Sequence, residues 1–370
     1  MTGISAAVRL LCRGKPLARI MNWTLHTVDR FDDFAPAWDR VNESGGGLPC
    51  LRSIFIRQLL RHFRCGGERL AVFGAPGQER ALCIITNRRP WAWETYQPSQ
   101  LPLGAWVMER NLLHADLLSS LLCALPGLPF LVAAAQQDPS VHVRPASTKT
   151  LRTVDYIETG WIEVQGSFEE YWKSCSKQLQ QNMRTQRSRL AREGVTTTLE
   201  VITRAEDVAE AIADYGRLES AGWKGSQGTA ITVDNEQGRF YRAMLEDFCR
   251  LGAGRIYRYR LGDRVAAVEL CIESGDVQVM LKTTYDETIK GLSPASLLRQ
   301  DAYRQVFDEG RIRRIEFFGR VMEWTKRWTD RHRTLYEVNC YRWAIVPIAV
   351  AQLAGLRSVL RRRPVSSPVA

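Results

Sequence analysis

The sequence has few of the residue types that build metal and redox sites. Its nine cysteines stand apart, with no pair in the CxxC spacing, and it has only five histidines. Zinc sites and disulfide frameworks need clustered cysteines or histidines, so these counts argue against both. We expect no bound metal, and we expect reduced cysteines that are mostly buried.

Long apolar runs and several catalytic motifs are also missing. No stretch approaches the roughly 20 apolar residues that cross a bilayer, and the N-terminus does not read as a signal peptide, so we predict a cytoplasmic protein. The sequence contains no GxSxG, HExxH or Walker A motif, and its GAGRIY segment lacks the last glycine of a dinucleotide fingerprint. Serine hydrolase, zinc protease and nucleotide hydrolase activities are therefore disfavoured.

Positive charge is in excess, and it is concentrated at the two ends of the chain. The net charge is +11, of which residues 1–20 contribute +4 and residues 340–370 contribute +5, leaving +2 for residues 21–339. A nearly neutral body weakens the case for a protein that wraps a polyanion. We expect residues 1–20 to form a mobile or extended arm, because Met21 opens a more typical domain start.

The C-terminal tail, residues 344–370, is apolar at first and then rich in arginine. Such a segment can lie on an anionic membrane surface, which would make the protein peripheral to the inner membrane. The alternative is a last helix that packs on the body and ends in a solvated tail.

Periodicity predicts mixed helix and strand in both halves of the 370 residues, a length typical of about two domains. A hairpin is expected at 70–86, a helix at LLHADLLSSLLCAL and a strand at PFLVAAA. Beyond Thr153 we predict a strand, then a capping box of Ser167 and Glu170 that opens one basic helix ending at Gly194. Three strands, a helix capped by Ser293 and the strand RIRRIEFFG follow.

Five segments of the second half carry a resemblance by their order and spacing. They are FEEYWKSCSKQLQQNMRTQRSRLAREG, AGWK, LGDRVAAVELCIE, TTYDETIKGLSPASLL and FFGRVMEWTKRWTDRHR, within residues 153–343. In this order they resemble the GNAT acyltransferase superfamily, in its FemAB-like branch of the CelD/BcsL type, which is associated with bacterial cellulose and exopolysaccharide loci.

The resemblance implies an α/β (α+β) fold of tandem GNAT-like lobes, each a mixed, mostly antiparallel sheet flanked by helices. It implies a divergent N-terminal lobe at residues 21–152 and an acyltransferase lobe at residues 153–343, between the arm and the tail. The hairpin at 70–86 loosely repeats the one at 256–272. Tandem duplication and chance recurrence of hairpins explain that likeness equally well.

The resemblance also implies acetyl-CoA or another acyl-CoA as donor. The glycine-rich (Q/R)xxGx(G/A) turn of many relatives is absent, and their SPG sequence is replaced here by Ser293-Pro294-Ala295. Free N–H groups at a helix start attract an anion whatever the side chains, although Ala295 adds a methyl group where glycine allows the closest approach. The predicted cofactor-binding residues are Ser293, Pro294, Ala295, Ser296 and Leu297; the alternative is an ordinary capped helix.

Acyl transfer to an amine needs a neutral amine, a stabilised oxyanion and a proton for the leaving thiolate. Glu269 is the first candidate base, because it interrupts the apolar AAVELCI strand; an exposed strand-face carboxylate is the alternative. Tyr285 is a candidate acid, and Asp286 a candidate for holding the acceptor unless it only forms a turn. Glu316 is the remaining catalytic candidate, at the position of an acidic residue in the relatives.

Five residues are candidates for binding substrate. They are Trp223, Lys224, Lys282, Trp324 and Lys326. Lys326 would contact an anionic acyl donor or a sugar nucleotide, unless it shares a solvated face with Arg327 and Arg331. Trp223 and Lys224 would line the acceptor pocket, unless the indole is simply buried.

Three functions remain open from the sequence. The first is an N-acyltransferase acting on an amine of a small molecule, an amino sugar or an exopolysaccharide or envelope precursor. The second is FemAB-like transfer from aminoacyl-tRNA, with the basic helix at 169–194 as the RNA contact; its modest charge makes this partner the less favoured one. The third is a non-catalytic scaffold of a polysaccharide synthase complex, tethered to the inner membrane by its basic tails.

Overall fold

A computed structural model describes residues 22–222 and 231–345, and its strands form one continuous sheet. The first half supplies β1 (Trp23–Thr27), β2 (Arg69–Ala75), β3 (Gln78–Arg89), β4 (Ala92–Thr95), β5 (Trp106–Met108) and β6 (Leu131–Gln137). The second half supplies β7 (Leu151–Glu163), β8 (Thr197–Ile202), β9 (Gly254–Leu261), β10 (Arg264–Ser274), β11 (Val277–Tyr285), β12 (Arg314–Arg320) and β13 (His332–Tyr341). The sheet runs β1-β2-β3-β4-β6-β13-β7-β12-β11-β10-β9-β8, and β5 pairs with β3.

Helices flank this sheet. In the first half they are α1 (Phe31–Gly45), α2 (Ser53–Phe63) and α3 (His114–Ala124). In the second half they are α4 (Phe168–Ser174), α5 (Lys177–Arg192), α6 (Val208–Ala221), α7 (Glu236–Arg250), α8 (Pro294–Glu309) and α9 (Glu323–Trp328). Within the described residues no helix is both long and apolar enough to span a membrane.

The two halves repeat one topology. In the first, the antiparallel strands β2, β3 and β4 lead through α3 to β6, which pairs in parallel with β4. In the second, β9, β10 and β11 lead through α8 to β12, which pairs in parallel with β11. The predicted α/β (α+β) class, with a mixed and mostly antiparallel sheet flanked by helices, is confirmed.

The last strand joins the halves into one body. β13 pairs antiparallel with β6 on one side and with β7 on the other. A strand from the predicted lobe at 153–343 therefore completes the sheet of the lobe at 21–152. Such a pairing between distant segments leaves no local signal in the sequence.

The core also crosses between the halves. Phe55 of α2 meets Phe240 of α7 edge to face, with ring centroids 5.6 Å apart, and Phe248 at 6.4 Å. One apolar cluster thereby includes helices of both halves on the same face of the sheet. Of the described cysteines, six are buried and two, Cys65 and Cys123, are exposed.

The basic helix expected after Ser167 is two helices. The Ser167–Glu170 capping box is present and opens α4. Cys175 then takes an extended backbone, and the Ser176 hydroxyl accepts a hydrogen bond from Leu179 N at 3.2 Å, which starts α5. Ser176 is thus a second N-cap, and the prediction of an unbroken helix is wrong because the apolar stripe continues across the break.

Ser293 precedes α8 as predicted but does not cap it with its side chain. Its backbone is left-handed, with φ of 54°, and its hydroxyl accepts from Asn182 Nδ2 of α5 at 3.0 Å. The hydroxyl therefore ties two helices together instead of closing the first turn of one.

Candidate active site

A cavity opens where two parallel strands diverge. β11 and β12 pair only over Val277–Val279 and Arg314–Glu316. Beyond those residues they separate around a cavity of about 520 Å³, whose wall includes the start of α8 and the Trp324 ring of α9. Its size is in the range of small-molecule sites.

A second cavity adjoins the first. It has a volume of about 320 Å³ and shares Met280, Lys282 and Phe317 with its neighbour. Its opposite wall comes from the first half of the chain, at residues 97, 99–102 and 136. The cleft formed by the two cavities therefore lies between the halves, with the β11–β12 opening at one side.

Unusual backbone conformations occur on the walls of this cleft. In the described part of the chain, the non-glycine residues with positive φ are Gln136, Ser293 and Phe318. Ser293 lines the larger cavity, and Gln136 and Phe318 line the smaller one. Left-handed conformations are costly for residues with a Cβ and concentrate at functional sites. Their distribution marks the cleft as the candidate site.

A buried arginine forms part of the larger cavity's wall. Arg299 Nε donates to Glu269 Oε2 at 2.9 Å, and its Nη2 donates to Thr283 Oγ1 at 3.0 Å. The guanidinium lies 4.2 Å from the centroid of the Trp324 ring. Burial disfavours its charge and would lower the Arg299 pKa, but the attraction and hydrogen bond of Glu269, together with the nearby Tyr303 and Cys271, raise that pKa above its usual value.

Glu269 stands behind this wall and does not line either cavity. Its side chain is fully buried on β10, and Oε2 accepts from both Arg299 and Thr283 Oγ1. Oε1 is buried without a hydrogen-bond partner in the described residues. These contacts fit a carboxylate that positions Arg299; the role of base stays a prediction.

The structure separates the neighbours Tyr285 and Asp286. Tyr285 ends β11, is exposed and lines the larger cavity. Asp286 lies outside it: one carboxylate oxygen accepts from Thr288 N at 3.0 Å and the other from Arg264 Nε at 2.6 Å. Burial alone would raise the Asp286 pKa, but the bonds to Thr288 and Arg264 lower it. These contacts place Asp286 in the turn before α8, and its role in holding the acceptor stays a prediction.

Four of the five predicted cofactor residues line the larger cavity, namely Ser293, Pro294, Ala295 and Ser296. The fifth, Leu297, is fully buried in the core behind the first helical turn. Leu297 N also donates to Ser293 O at 3.1 Å. Leu297 therefore contributes packing, and the binding of a cofactor by the other four residues stays a prediction.

The substrate candidates are divided among several places. Lys282 and Trp324 line the larger cavity. Lys326 does not; it pairs with Glu323 at 3.0 Å on the surface of α9 and faces a separate, polar cavity. Trp223 and Lys224 lie outside the described residues.

Glu316 belongs to a buried ionic network away from the larger cavity. It accepts from Arg333 Nη2 at 2.9 Å, and Arg333 also donates to Asp138. Burial raises the Glu316 pKa, partly opposed by the Arg333 charge. The contacts describe a structural role, and the catalytic role stays a prediction.

Sequence analysis missed Arg299, Thr283 and Lys290, which all line the larger cavity. Arg299 had a usable signal, because it is a charged residue on the buried stripe of α8, one turn before Tyr303. A charge on an apolar helix face needs a partner or a ligand. Thr283 and Lys290 carry no comparable signal.

The region around the larger cavity is similar to a known protein family. Residues 177–326 match the family model of the GNAT acetyltransferase domain. The expected enzyme class, an acyltransferase of the GNAT type, is thereby confirmed. The matched region runs from α5 into α9 and contains every residue of the larger cavity's wall. The CelD/BcsL branch stays a prediction, and no curated protein matches this chain.

Solved structures share the fold at low sequence identity. FemX is 9% identical, with a TM-score of 0.55 over 87% of this chain and 97% of its own. A protein of unknown function from Bacteroides thetaiotaomicron is 10% identical, with a TM-score of 0.53 over 87% and 100%. The C-terminal domain of a protein assigned as a lysylphosphatidylglycerol synthetase, from Agrobacterium fabrum, is 12% identical, with a TM-score of 0.51 over 90% and 95%.

Among the described residues, no group of three or more His, Cys, Asp or Glu side chains is arranged to hold a metal ion.

Proposed function

We propose that this protein transfers an acyl group from acyl-CoA to the amine of an amino-sugar or another envelope or exopolysaccharide precursor. The observation that carries the proposal is the cavity between the diverging β11 and β12, with the start of α8 on its wall. Backbone N–H groups at a helix start favour an anion such as a pyrophosphate. The Lys290 and Lys282 side chains on the same wall add positive charge.

The acceptor would occupy the smaller cavity. Its wall from the first half carries neutral polar side chains, namely Gln97, Ser99, Gln100 and Gln136. Carboxamides and hydroxyls hydrogen-bond uncharged polar groups such as sugar hydroxyls. The chemistry of this wall therefore suits an amino sugar.

The reaction forms an amide C–N bond and breaks the thioester C–S bond. The neutral amine attacks the carbonyl carbon, whose oxygen becomes an oxyanion before the thiolate leaves. Arg299 Nη1 makes no hydrogen bond to the described residues. In this proposal it donates a hydrogen bond to the oxyanion or to another anionic group of the donor. The Tyr285 hydroxyl gives its proton to the thiolate, and the amine loses a proton to water or to a carboxylate.

A second candidate donor is aminoacyl-tRNA. The observation in its favour is the exposed basic side chains Lys173, Lys177, Arg184 and Arg192 on α4 and α5. Asn182 of α5 contacts Ser293 at the cavity, so this surface and the cavity adjoin. RNA binding through such a surface would weaken steeply with salt.

Calorimetric titration of the purified protein with acetyl-CoA tests the donor. We expect saturable binding that Ala295→Asp weakens by tenfold or more, roughly the effect of one repulsive charge pair in a partly buried site. Ala191→Asp makes the same change at an exposed position of α5 and serves as the control. Mass spectrometry over a panel of amino sugars and amino acids then identifies the acceptor.

Absence of binding at millimolar acetyl-CoA would contradict the proposal. Salt-dependent binding of charged tRNA in its place would establish the second donor. Binding of neither, together with no turnover on any amine, would favour the scaffold function.

A further inference from the structure

Three aromatic side chains stand exposed together at one end of the sheet. Trp91 lies in the β3–β4 turn, Phe130 precedes β6 and Trp343 follows β13, with exposed fractions of 37%, 39% and 47%. The rings of Phe130 and Trp343 have centroids 5.3 Å apart. Phe130 N donates to Trp91 O at 2.8 Å, and this hydrogen bond holds the Trp91 turn beside the segments of Phe130 and Trp343.

Two aliphatic side chains enlarge this apolar surface. Leu128, in the loop before Phe130, and Ile345, two residues after Trp343, are about 70% exposed. We call these five residues the aromatic patch. None of them lines the candidate active site. Clustered exposed apolar residues on a water-soluble surface mark an interaction site.

The surroundings of the aromatic patch carry charge of one sign. The segments 89–92, 126–131, 148–152 and 341–345 contain four basic residues, Arg89, Lys149, Arg152 and Arg342, and no acidic residue. The fold brings the segments together: Arg342 N donates to Phe130 O, and Tyr341 N donates to Thr150 O. Arg89 lies 5.4 Å from the Trp91 ring centroid.

The sequence after Ile345 is likewise apolar and basic. Residues 346–370 begin with VPIAVAQLAGL, continue with four arginines and contain no acidic residue. A basic surface repels a second copy of itself. Indole rings beside arginine and lysine side chains suit the interface of an anionic bilayer, where the ring meets the acyl boundary and the cations meet phosphate.

We propose that the aromatic patch, with the basic residues around it, docks the protein on an anionic phospholipid surface. The folded body then contributes to the membrane contact together with the tail. This inference does not depend on the acyl donor or acceptor, because it concerns lipid binding alone.

Co-sedimentation of the full chain with vesicles tests the proposal. One set contains equal amounts of phosphatidylglycerol and phosphatidylcholine, and the other contains phosphatidylcholine only. We expect binding to the anionic set, and an affinity at least about tenfold lower for the Trp91→Ser/Trp343→Ser variant, because two indole rings no longer bury apolar area in the bilayer interface. The control, Leu113→Ser/Leu251→Ser, changes two apolar residues outside the patch that are even more exposed than the tryptophans, and this variant should bind like the unmodified protein.

Three results would overturn the proposal. The tryptophan variant could bind as well as the unmodified protein while Arg361→Ser/Arg362→Ser/Arg363→Ser abolishes binding, which would assign the contact to the tail alone. The unmodified protein could fail to bind anionic vesicles. Sedimentation could instead show a dimer that Trp343→Ser dissociates without any vesicle binding, which would make the patch a contact between copies.

Discussion

Arg299 shows how a single buried charge can be retained at a cavity wall. Removing a guanidinium from water is costly unless other groups replace the lost hydrogen bonds. Here Glu269 and Thr283 accept from two of its nitrogens, and Trp324 covers its face. The planar guanidinium meets these partners simultaneously, which the compact ammonium of lysine cannot do.

Arg299→Lys should therefore lower the rate of acyl transfer about tenfold to a hundredfold while keeping the charge. The matched control is Arg304→Lys on the same helix, whose exposed pair with Glu169 contributes little. Steady-state kinetics measures the effect, and a thermal melt checks folding. Unchanged kcat in a folded Arg299→Lys variant would refute the assigned role.

Tyr285→Phe separates proton transfer from binding. The ring stays on the cavity wall while the hydroxyl is lost, so acetyl-CoA affinity should hold and kcat should fall about 10²-fold or more. Tyr341→Phe, at a half-buried tyrosine that lines neither cavity, is the control for loss of a hydroxyl. A fall in affinity at constant kcat would instead make Tyr285 a binding residue.

At the scale of elements, the two halves differ in what lies between their parallel strands. β4 and β6 pair over only three residues, as β11 and β12 do. In the first half, however, Leu101 and Leu103 are buried, and Gly104 N donates to Ala135 O at 3.2 Å. The cavity that adjoins Leu103 and Gly104 has about 10 Å³, the space of a single water molecule. The chain itself thus occupies the space between β4 and β6 at these residues, whereas a cavity of about 520 Å³ lies between β11 and β12.

Gly104→Ala should destabilise this filled region. A Cβ at position 104 would lie 2.4 Å from Ala135 O and 2.5 Å from Thr95 Oγ1, so the strands must shift. We expect urea unfolding to show a loss of about 1 to 3 kcal/mol. Gly291→Ala, with no heavy atom within 4 Å of its Cβ, should change stability by less than about 0.5 kcal/mol. Equal stability of the two variants would contradict the close approach of Ala135 and Thr95 to Gly104.

On the scale of the whole molecule, an ionic network holds the halves together. Arg333 of β13 donates to Asp138, just after β6, at 2.7 Å and to Glu316 of β12 at 2.9 Å. Its guanidinium lies 5.0 Å from the Trp161 ring centroid and 5.5 Å from that of Phe318. Arg333 therefore links the first half to β12, the strand that borders the larger cavity.

Arg333→Met should destabilise the protein by about 3 to 5 kcal/mol, because two buried carboxylates lose their cation. Arg331→Met is the control: its exposed pair with Glu163 should be worth less than about 1 kcal/mol. Denaturant unfolding at neutral pH measures both. A loss as small as that of the control would mean that the network does not hold the halves together.

Because His114 and His142 are buried, we expect the free energy of unfolding to fall at acid pH. Burial lowers the pKa of His114 to about 3, helped by the nearby His142, and lowers the pKa of His142 to about 4 against the attraction of Asp138. The unfolded chain therefore takes up protons first as the pH falls below about 6.5. Above about pH 6.5 both states are neutral and the free energy of unfolding is not reduced. Between about pH 6.5 and pH 3 to 4 the unfolded state gains protons that the folded state does not, so the free energy of unfolding falls.

Unfolding free energy should consequently fall by roughly 2 kcal/mol per histidine between about pH 7 and pH 5. Urea titrations at the two pH values, at equal salt, measure the change. Constant or rising stability on acidification would show that the imidazoles are not held neutral.

The local elements and their order follow from the amino-acid sequence. Hairpins, the Ser167–Glu170 capping box and the apolar stripe of α8 depend on neighbours in the chain, and so they were predictable. The resemblance carried by five short segments predicted the acyltransferase class, and it singled out residues 293–297, of which 293–296 lie at the wall of the larger cavity. The break at Ser176 was missed because periodicity continues across it.

Contacts between distant segments, in contrast, are set by the packing of the folded chain. The pairing of β13 with β6, the filling of the first opening by Leu101 and Leu103, and the contact of Glu269 with Arg299 all join residues far apart in sequence. Such contacts depend on strand order and on the volume left between packed layers, which leave no period or motif in the chain. For that reason the sequence could suggest Glu269 as a base but could not reveal its contact with the buried Arg299.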